Sequence, residues 1–356
     1  MFDKKKSNIP LDKFINAALY HPKKGYYMKR LPFGKNGDFV TSPNISKIFS
    51  EMIFIWIISY WKKFYNNKKI NIVELGAGNG EMINQIIISS KKFNKFYENC
   101  NFMIYEKSKK LIQVQKKLLK KSRIKWLENL NKIDNCPTIF IGNEFLDALP
   151  IKQYININNK WHERYVQKKN GAYSFNQIKC NIEKLEKNIN IKISKNQNFL
   201  EVPLEGFKFI KKLNGIIKNK GGCMLFIDYG YLSYKMYDTL QAVKNHKKVN
   251  VLSNFGSADI CHLINIPLLK KMAINLNLEM SCSSQRNFLL SLGILQRAEI
   301  LASSKNFMEK ANIFYRINRL IDKKQMGELF KVIYFHQKKN KFKLGFNDQI
   351  KITFKN

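Results

Sequence analysis

Paired cysteines, arginine and long apolar runs are all scarce in this chain of 356 residues, and each scarcity removes a class of explanation. The six cysteines, Cys100, Cys136, Cys180, Cys223, Cys261 and Cys282, lie far apart. With no C-x-x-C pair and no histidine at metal-ligand spacing, they imply reduced thiols, neither a disulfide scaffold nor a zinc site, and no metal is expected. The longest nearly continuous apolar run, residues 52–61, is about half of the roughly 20 residues that cross a bilayer. It reads as a buried helix, and no stable membrane insertion is expected. Lys4, Lys5 and Lys6 have no apolar stretch after them, and the Arg- and Ser-rich pattern of a transit peptide is missing, so the expected location is the cytoplasm. Only seven of the 63 basic residues are arginine, although the formal net charge is +37. Such a charge releases counterions on meeting phosphate. Here, however, it is spread in lysine doublets such as Lys62-Lys63, Lys116-Lys117 and Lys211-Lys212, mostly on the polar faces of apolar segments. That texture suits a solvated surface better than a nucleic-acid groove, and no nucleic-acid partner is expected.

What is present is an alternating pattern. After a short amphipathic segment at 11–19, a loop at 32–43 rich in Gly and Pro, and a helical stretch at 46–61, strands and helices alternate from Lys69 onward. Candidate strands fall at 70–75, 101–106, 124–126, 138–143 and 223–228, with helices at 81–91 and 109–121, an arrangement that predicts a parallel sheet with crossover helices. Residues 152–179 alternate apolar and polar around Asn158-Asn159 and Asn170-Gly171, which predicts inserted antiparallel hairpins. The C-terminal third predicts a helix at 267–276, a strand at 279–283, helices within 287–322, and a strand at 329–335 that returns to the main sheet. The resulting division is an N-terminal helical and loop segment (1–66) closing over the site, a core (67–150 and 200–284), a hairpin insertion (151–199), a helical insertion (285–326), and a last core strand with a tail (327–356).

Val73-Glu74-Leu75-Gly76-Ala77-Gly78-Asn79-Gly80 closes a strand and opens a helix, so its glycines allow a tight turn and close approach of a ligand. Such runs also occur in nicotinamide-binding domains and in structural turns. Two further features narrow the choice. Glu106 ends the next strand, where a carboxylate accepts hydrogen bonds from both ribose hydroxyls; the alternative is a solvated strand-end acid. No Lys-Ser or Lys-Thr follows the glycines, and the turn ends before a pyrophosphate-type G-x-G-x-x-G, so a cofactor without phosphate fits, namely S-adenosyl-L-methionine. Cofactor contacts are expected from Glu74, Gly76, Ala77, Gly78, Gly80, Glu106 and Asn143. Trp126 and Leu127 fall where adenine would meet an apolar wall, with a place in the core as the alternative. The fourth strand ends in Asn143-Glu144-Phe145-Leu146-Asp147-Ala148-Leu149-Pro150, at the carboxyl edge that faces the ligand crevice of an open α/β sheet. Helix capping by Asn143 or Asp147 accounts for one polar group and leaves a carboxylate over. The Asn/Asp-Pro-Pro-Tyr pattern of adenine-amino methyltransferases is missing.

These features and several others make the chain resemble the MidA family, the mitochondrial complex I assembly methyltransferases and their bacterial relatives. The matches include His21-Pro22 with Gly25-Tyr26-Tyr27-Met28, Gly37-Asp38-Phe39, residues 73–80 and 143–150, Ile227-Asp228-Tyr229-Gly230-Tyr231, Asp238-Thr239-Leu240-Gln241-Ala242 with His246, and Ala258-Asp259. The pattern departs from the family at Leu31, where relatives usually carry Asp, at Asn44 (Glu), at Ser50 (Gly) and at Asn79 (Arg). The resemblance implies an α/β fold, a class I Rossmann-like methyltransferase sheet with the insertions given above. It also implies symmetric dimethylation of an arginine in the NuoD-like subunit of NADH:ubiquinone oxidoreductase; a non-catalytic assembly chaperone and an RNA methyltransferase are the alternatives. Because guanidinium is always charged, carboxylates are expected to hold it. Glu144 and Asp147 are the candidates, with Asp38 and His246 adding orientation or accepting the departing proton. A homodimer is compatible with the sequence.

Overall fold

The computed structural model describes residues 8–29, 41–169, 171–193, 195–340 and 342–352. Its centre is an eight-stranded sheet. In chain order the strands are β1 (Ile70–Leu75), β2 (Cys100–Tyr105), β3 (Ile124–Leu127), β4 (Thr138–Asn143), β5 (Gly222–Tyr231), β6 (Ile264–Asn265), β7 (Glu279–Ser284) and β8 (Phe330–His336). Their spatial order is β7-β8-β5-β4-β1-β2-β3, with the short β6 beside the end of β5. β1 to β5 pair in parallel, whereas β8 runs antiparallel between β5 and β7. Every residue of β1 is buried, as a strand covered on both faces requires, and four of its six residues are apolar, with Asn71 and Glu74 the buried polar exceptions. The last strand does return into the sheet, after helices at Gln285–Ser291, Ile294–Ala302 and Phe307–Ile321.

One face packs against the helix Lys47–Phe64, whose Ser46 cap accepts from the Ile48 amide at 3.2 Å. Trp56, Tyr60 and Trp61 of that helix are buried there. The other face is covered by the helices Leu204–Lys220 and Ile266–Asn275, through residues such as Leu213, Ile217 and Met272. Truncating a buried aromatic such as Trp56 to alanine costs about 3–5 kcal/mol.

The insertion is a second sheet, with the meander Lys152–Ile157, Lys160–Lys169 and Ala172–Lys179 at its heart. Asn158 and Asn159 both have positive φ, as a two-residue hairpin turn demands. Two partners extend this sheet. Asn8–Pro10 pairs with Lys160–Lys169, and Phe199–Val202 pairs with Lys152–Ile157. The boundary expected between residues 199 and 200 therefore cuts through a strand that belongs to the insertion; its partner is about 45 residues earlier in sequence, a pairing that local pattern does not carry. A small third sheet, Gln241–Lys244, Lys247–Val249 and Asp259–Cys261, and the helices Asn94–Asn99, Ile182–Ile189 and Leu204–Lys220 also went unread in the sequence. Among the described residues no helix is long and apolar enough to cross a membrane.

Candidate active site

The carboxyl ends of β1, β2 and β4 converge on one cleft with about 640 Å³ of open space between its walls. β1 ends at Leu75 and the chain turns sharply: Gly76, Gly78 and Gly80 have φ of 64°, 54° and 88°. A side chain at Gly76 would also meet Phe145 at 2.9 Å. These positions need glycine for backbone freedom and for space.

Beside the turn, Glu74 and Asn143 line an adjoining recess with Gly76, Ala77 and Gly78. Among the described residues, Glu74 Oε2 and Asn143 Oδ1 are buried acceptors with no hydrogen-bond partner. Burial pushes the Glu74 carboxyl up to about 8, and the nearby Glu106 adds to the rise. An ammonium group entering the recess would satisfy both acceptors. At the end of β2, Glu106 accepts from the Ser108 amide at 2.9 Å and from Gln115 at 3.4 Å. Burial raises its pKa, against four interactions that lower it. Gln115, which the sequence reading missed, is fully buried and joins three expected residues: its Nε2 donates to Gly78 O at 2.9 Å and to Glu106, and its Oε1 accepts from Trp126 Nε1 at 2.9 Å.

That last bond changes the expected role of the third strand. Trp126 lines neither the cleft nor the recess, and Leu127 is buried in the core beneath the sheet. Trp126 packs against the opposite core and spends its indole N–H on Gln115. The apolar wall comes instead from Tyr105, Leu111, Phe145 and Phe209. Phe209 stacks on Tyr105 at 6.0 Å and meets Phe145 at 5.3 Å. It rides on the helix Leu204–Lys220, which no local pattern tied to this cleft.

The other half of the cleft is acidic. Glu144 has a left-handed φ of 51°, and its amide donates to Ile227 O at 2.9 Å. A non-glycine residue held in this region stores strain of order 1–3 kcal/mol, which surrounding structure must offset. The offset comes from Asp228 at the end of β5. Its Oδ2 accepts from the amides of Phe145, Leu146 and Asp147 at 3.1, 2.7 and 3.2 Å, and its Oδ1 accepts from its neighbour Tyr229 at 2.9 Å. Burial pushes the Asp228 carboxyl up to about 7 in spite of those amides. Burial and then the Asp228 charge push Glu144 up to about 8 and Asp147 well above the carboxylate range. Asp259 adds to both shifts and accepts from the Tyr27 hydroxyl at 2.9 Å. Four carboxyl groups so enclosed are poorly balanced without a cation. Among the described residues, no three His, Cys, Asp or Glu side chains converge as metal ligands do.

Tyr20 and Tyr27 close this half, stacked at 5.6 Å. Ser108 Oγ donates to Tyr27 O at 2.6 Å and so fastens the N-terminal segment beside Glu106. Of the two expected acids Glu144 lines both the cleft and the recess, whereas Asp147 lies buried behind it and lines neither. His246 lies exposed in the turn between Lys244 and Lys247 and lines neither the cleft nor the recess. The hairpin buries Ala242 and packs Val249 at its base, which leaves residues 245–248 of the turn exposed. Asp38 lies outside the described residues. Asp228, Asp259 and Tyr27 sit in motifs already visible in sequence, and the strand-end rule that selected Glu144 applies equally to Asp228. Two departures from the expected family pattern meet here: Asn79 Nδ2 donates to Asn44 Oδ1 at 3.1 Å, a link between two neutral side chains.

Residues 52–282 match the sequence family of S-adenosyl-L-methionine-dependent methyltransferases. The chain belongs to that family. The mitochondrial protein arginine methyltransferase NDUFAF7 of Danio rerio is 30% identical over 348 residues, 90% of this chain and 82% of that protein. The Homo sapiens protein of the same name is 26% identical over 347 residues, 90% of this chain and 78% of its own length. A methyl transferase from Burkholderia thailandensis, solved with S-adenosyl-homocysteine bound, superposes with a TM-score of 0.81 at 22% identity, covering 96% of this chain and 89% of that one. A native structure from the same organism superposes equally well. The methyltransferase fold is therefore this chain's fold, and S-adenosyl-L-methionine is its cofactor. The residues fit it: the unsatisfied Glu74 and Asn143 acceptors suit its ammonium, Glu106 its ribose, and the Tyr105, Leu111 and Phe209 wall its adenine.

Proposed function

We propose that this methyltransferase modifies an arginine side chain of a protein, with symmetric dimethylation of the NuoD-like subunit of NADH:ubiquinone oxidoreductase as its reaction and the cytoplasm as its location. The observation that carries the reading is Glu144, which lines the cofactor cleft on a turn clamped by Asp228, with the buried Asp147 and Asp259 carboxyls close enough to act on one another's charge. The names of the relatives described above point the same way.

The cofactor supplies a methyl group already activated as a sulfonium. The chain's own residues must hold the acceptor nitrogen in line with it and keep the guanidinium charge on the other nitrogens. Glu144 and Asp147 offer carboxylate oxygens for that purpose, and charge-assisted pairs of this kind fix geometry as well as energy. Burial and the neighbouring carboxyls raise the pKa of both groups when the cleft holds no cation, so an arriving guanidinium favours their anionic forms and is bound by them. Tyr20 and Tyr27 line the same cleft, stacked on each other, with the Lys107 ammonium 5.2 Å from the Tyr20 ring centre.

The test is transfer of labelled methyl from S-adenosyl-L-methionine to purified NuoD-like subunit, with a lysate RNA fraction as a second acceptor. Glu144→Gln is expected to keep cofactor affinity and to lose turnover by roughly ten- to a hundred-fold, the equivalent of about 1.5–3 kcal/mol for one charge-assisted hydrogen bond. Label on RNA alone, or full protein methylation by Glu144→Gln, would sink the reading.

A further inference from the structure

A second cavity, of about 930 Å³, lies where the insertion meets the core, and it has the opposite character to the catalytic cleft. Its walls are apolar: Ile191, Leu200, Val202 and Leu268 are buried, and Ile189 and Met236 pack against both the core beneath the sheet and the cluster of the insertion. Seams between packed units are where small-molecule sites commonly form. The polar part of the lining has one sign. Lys192, Lys235 and Lys271 line the cavity, and no Asp or Glu does. Lys192 also reaches Glu186 at 3.2 Å, outside the lining. The catalytic cleft, by contrast, is lined by Glu106 and Glu144 beside Lys107, so the two linings differ in their carboxylates.

We propose that this cavity binds an amphiphile with an acyl-type apolar chain and an anionic head, the chain lying among Leu200, Val202 and Leu268 and the head meeting Lys235 and Lys271. The site is wired to the catalytic turn. Asn265 lines it and donates to Ser233 O at 2.9 Å, while three residues earlier the His262 amide donates to Asp147 O at 3.3 Å. Buried Glu201, between the cavity residues Leu200 and Val202, accepts from Thr239, whose Oγ1 in turn accepts from the Leu263 amide at 2.9 Å. A ligand that wedges this seam therefore pushes on the segment that holds Asp147.

Calorimetric titration of the full chain with myristate, with a lysophosphatidate and with uncharged dodecanol tests the site. Saturable binding of myristate or lysophosphatidate, with dodecanol at least about ten-fold weaker, is expected, and the head group bound more tightly identifies the source of the ligand. Reversing two charges with Lys235→Glu, at an exposed position, and Lys271→Glu, at a half-buried one, should weaken binding by about ten-fold or more, since each screened pair contributes up to ~1 kcal/mol. Leu268→Trp should fill the cavity and abolish binding. S-adenosyl-homocysteine affinity, measured on the same variants, reports that they are folded and that the catalytic cleft is intact. Failure of both charged amphiphiles to bind, dodecanol binding as well as myristate, or binding that survives Leu268→Trp in a folded protein would overturn the proposal.

Discussion

The cofactor half of the cleft is built mostly on two neighbouring strand ends, β1 and β2, with Asn143 from β4 and Phe209 from the helix Leu204–Lys220 completing it, whereas the substrate half draws on segments as distant as Tyr27 and Asp259, 232 residues apart. In the first half Gln115 and Ser108 hold Glu106, and the turn itself closes through the Gly80 amide on Ala77 O at 2.7 Å. In the second, carboxyl groups gather with their pKa values raised, and the turn that carries two of them hangs on Asp228. The first half awaits its ligand at two buried acceptors, Glu74 Oε2 and Asn143 Oδ1, that find no partner among the described residues, while Ser108 and Gln115 tie down the rest. A half assembled from distant acids is strained until a cation arrives, which makes it selective.

Substitutions should separate the halves. The largest effect is expected at Gly78→Val, where a β-branched side chain must occupy a φ of 54° and stand in the cofactor's space. The left-handed conformation alone costs about 1–2 kcal/mol, and with the lost space S-adenosyl-homocysteine binding should weaken by about 100-fold or more in calorimetry. Unchanged affinity in a folded variant would detach the glycine turn from the cofactor. Next comes Asp228→Asn, which removes the anion that three turn amides share. Turnover should fall roughly ten- to a hundred-fold while cofactor affinity stays near that of the parent chain; a loss of affinity with intact turnover would merge the two halves. Gln115→Leu should do the reverse more mildly, raising the Kd for S-adenosyl-homocysteine by roughly five- to ten-fold, about one hydrogen bond's net contribution, with turnover at saturating cofactor nearly unchanged.

The smallest effect is a pH dependence of stability. Glu74 and Glu144, both raised to about 8, stay protonated in the folded protein at pH values where the unfolded chain has already lost those protons. Between about 4.5 and 8 the folded state therefore binds more protons, and stability falls as pH rises. The Tm of the ligand-free protein should drop by several degrees across that window in scanning calorimetry. S-adenosyl-homocysteine should reduce the Glu74 part of the drop, and Glu144→Gln should remove the Glu144 part. A Tm that rises with pH would contradict the enclosure assigned to these acids.

What the sequence determined by itself was whatever depends on neighbours along the chain. The parallel strands are visible because burial on both faces writes a mostly apolar run, the glycine turn because positive φ selects glycine, and Glu74, Glu106 and Glu144 because strand ends of an open α/β sheet face the ligand. The hairpin at Asn158-Asn159 and the return of β8 into the sheet were legible for the same reason. The tertiary structure alone decided which faces the side chains took and which distant segments met. Trp126 and Leu127 occupy the right strand, but the β3 pleat sends one to each core, and Phe209 arrives from a helix about 80 residues later to make the wall they were expected to form. His246 sits in a family motif yet stays in a solvent-facing turn, while Asp259, from the same small sheet, reaches Tyr27. Register and long-range packing set these outcomes: the energy that fixes them comes from burying surfaces separated by hundreds of residues, and no local periodicity records it.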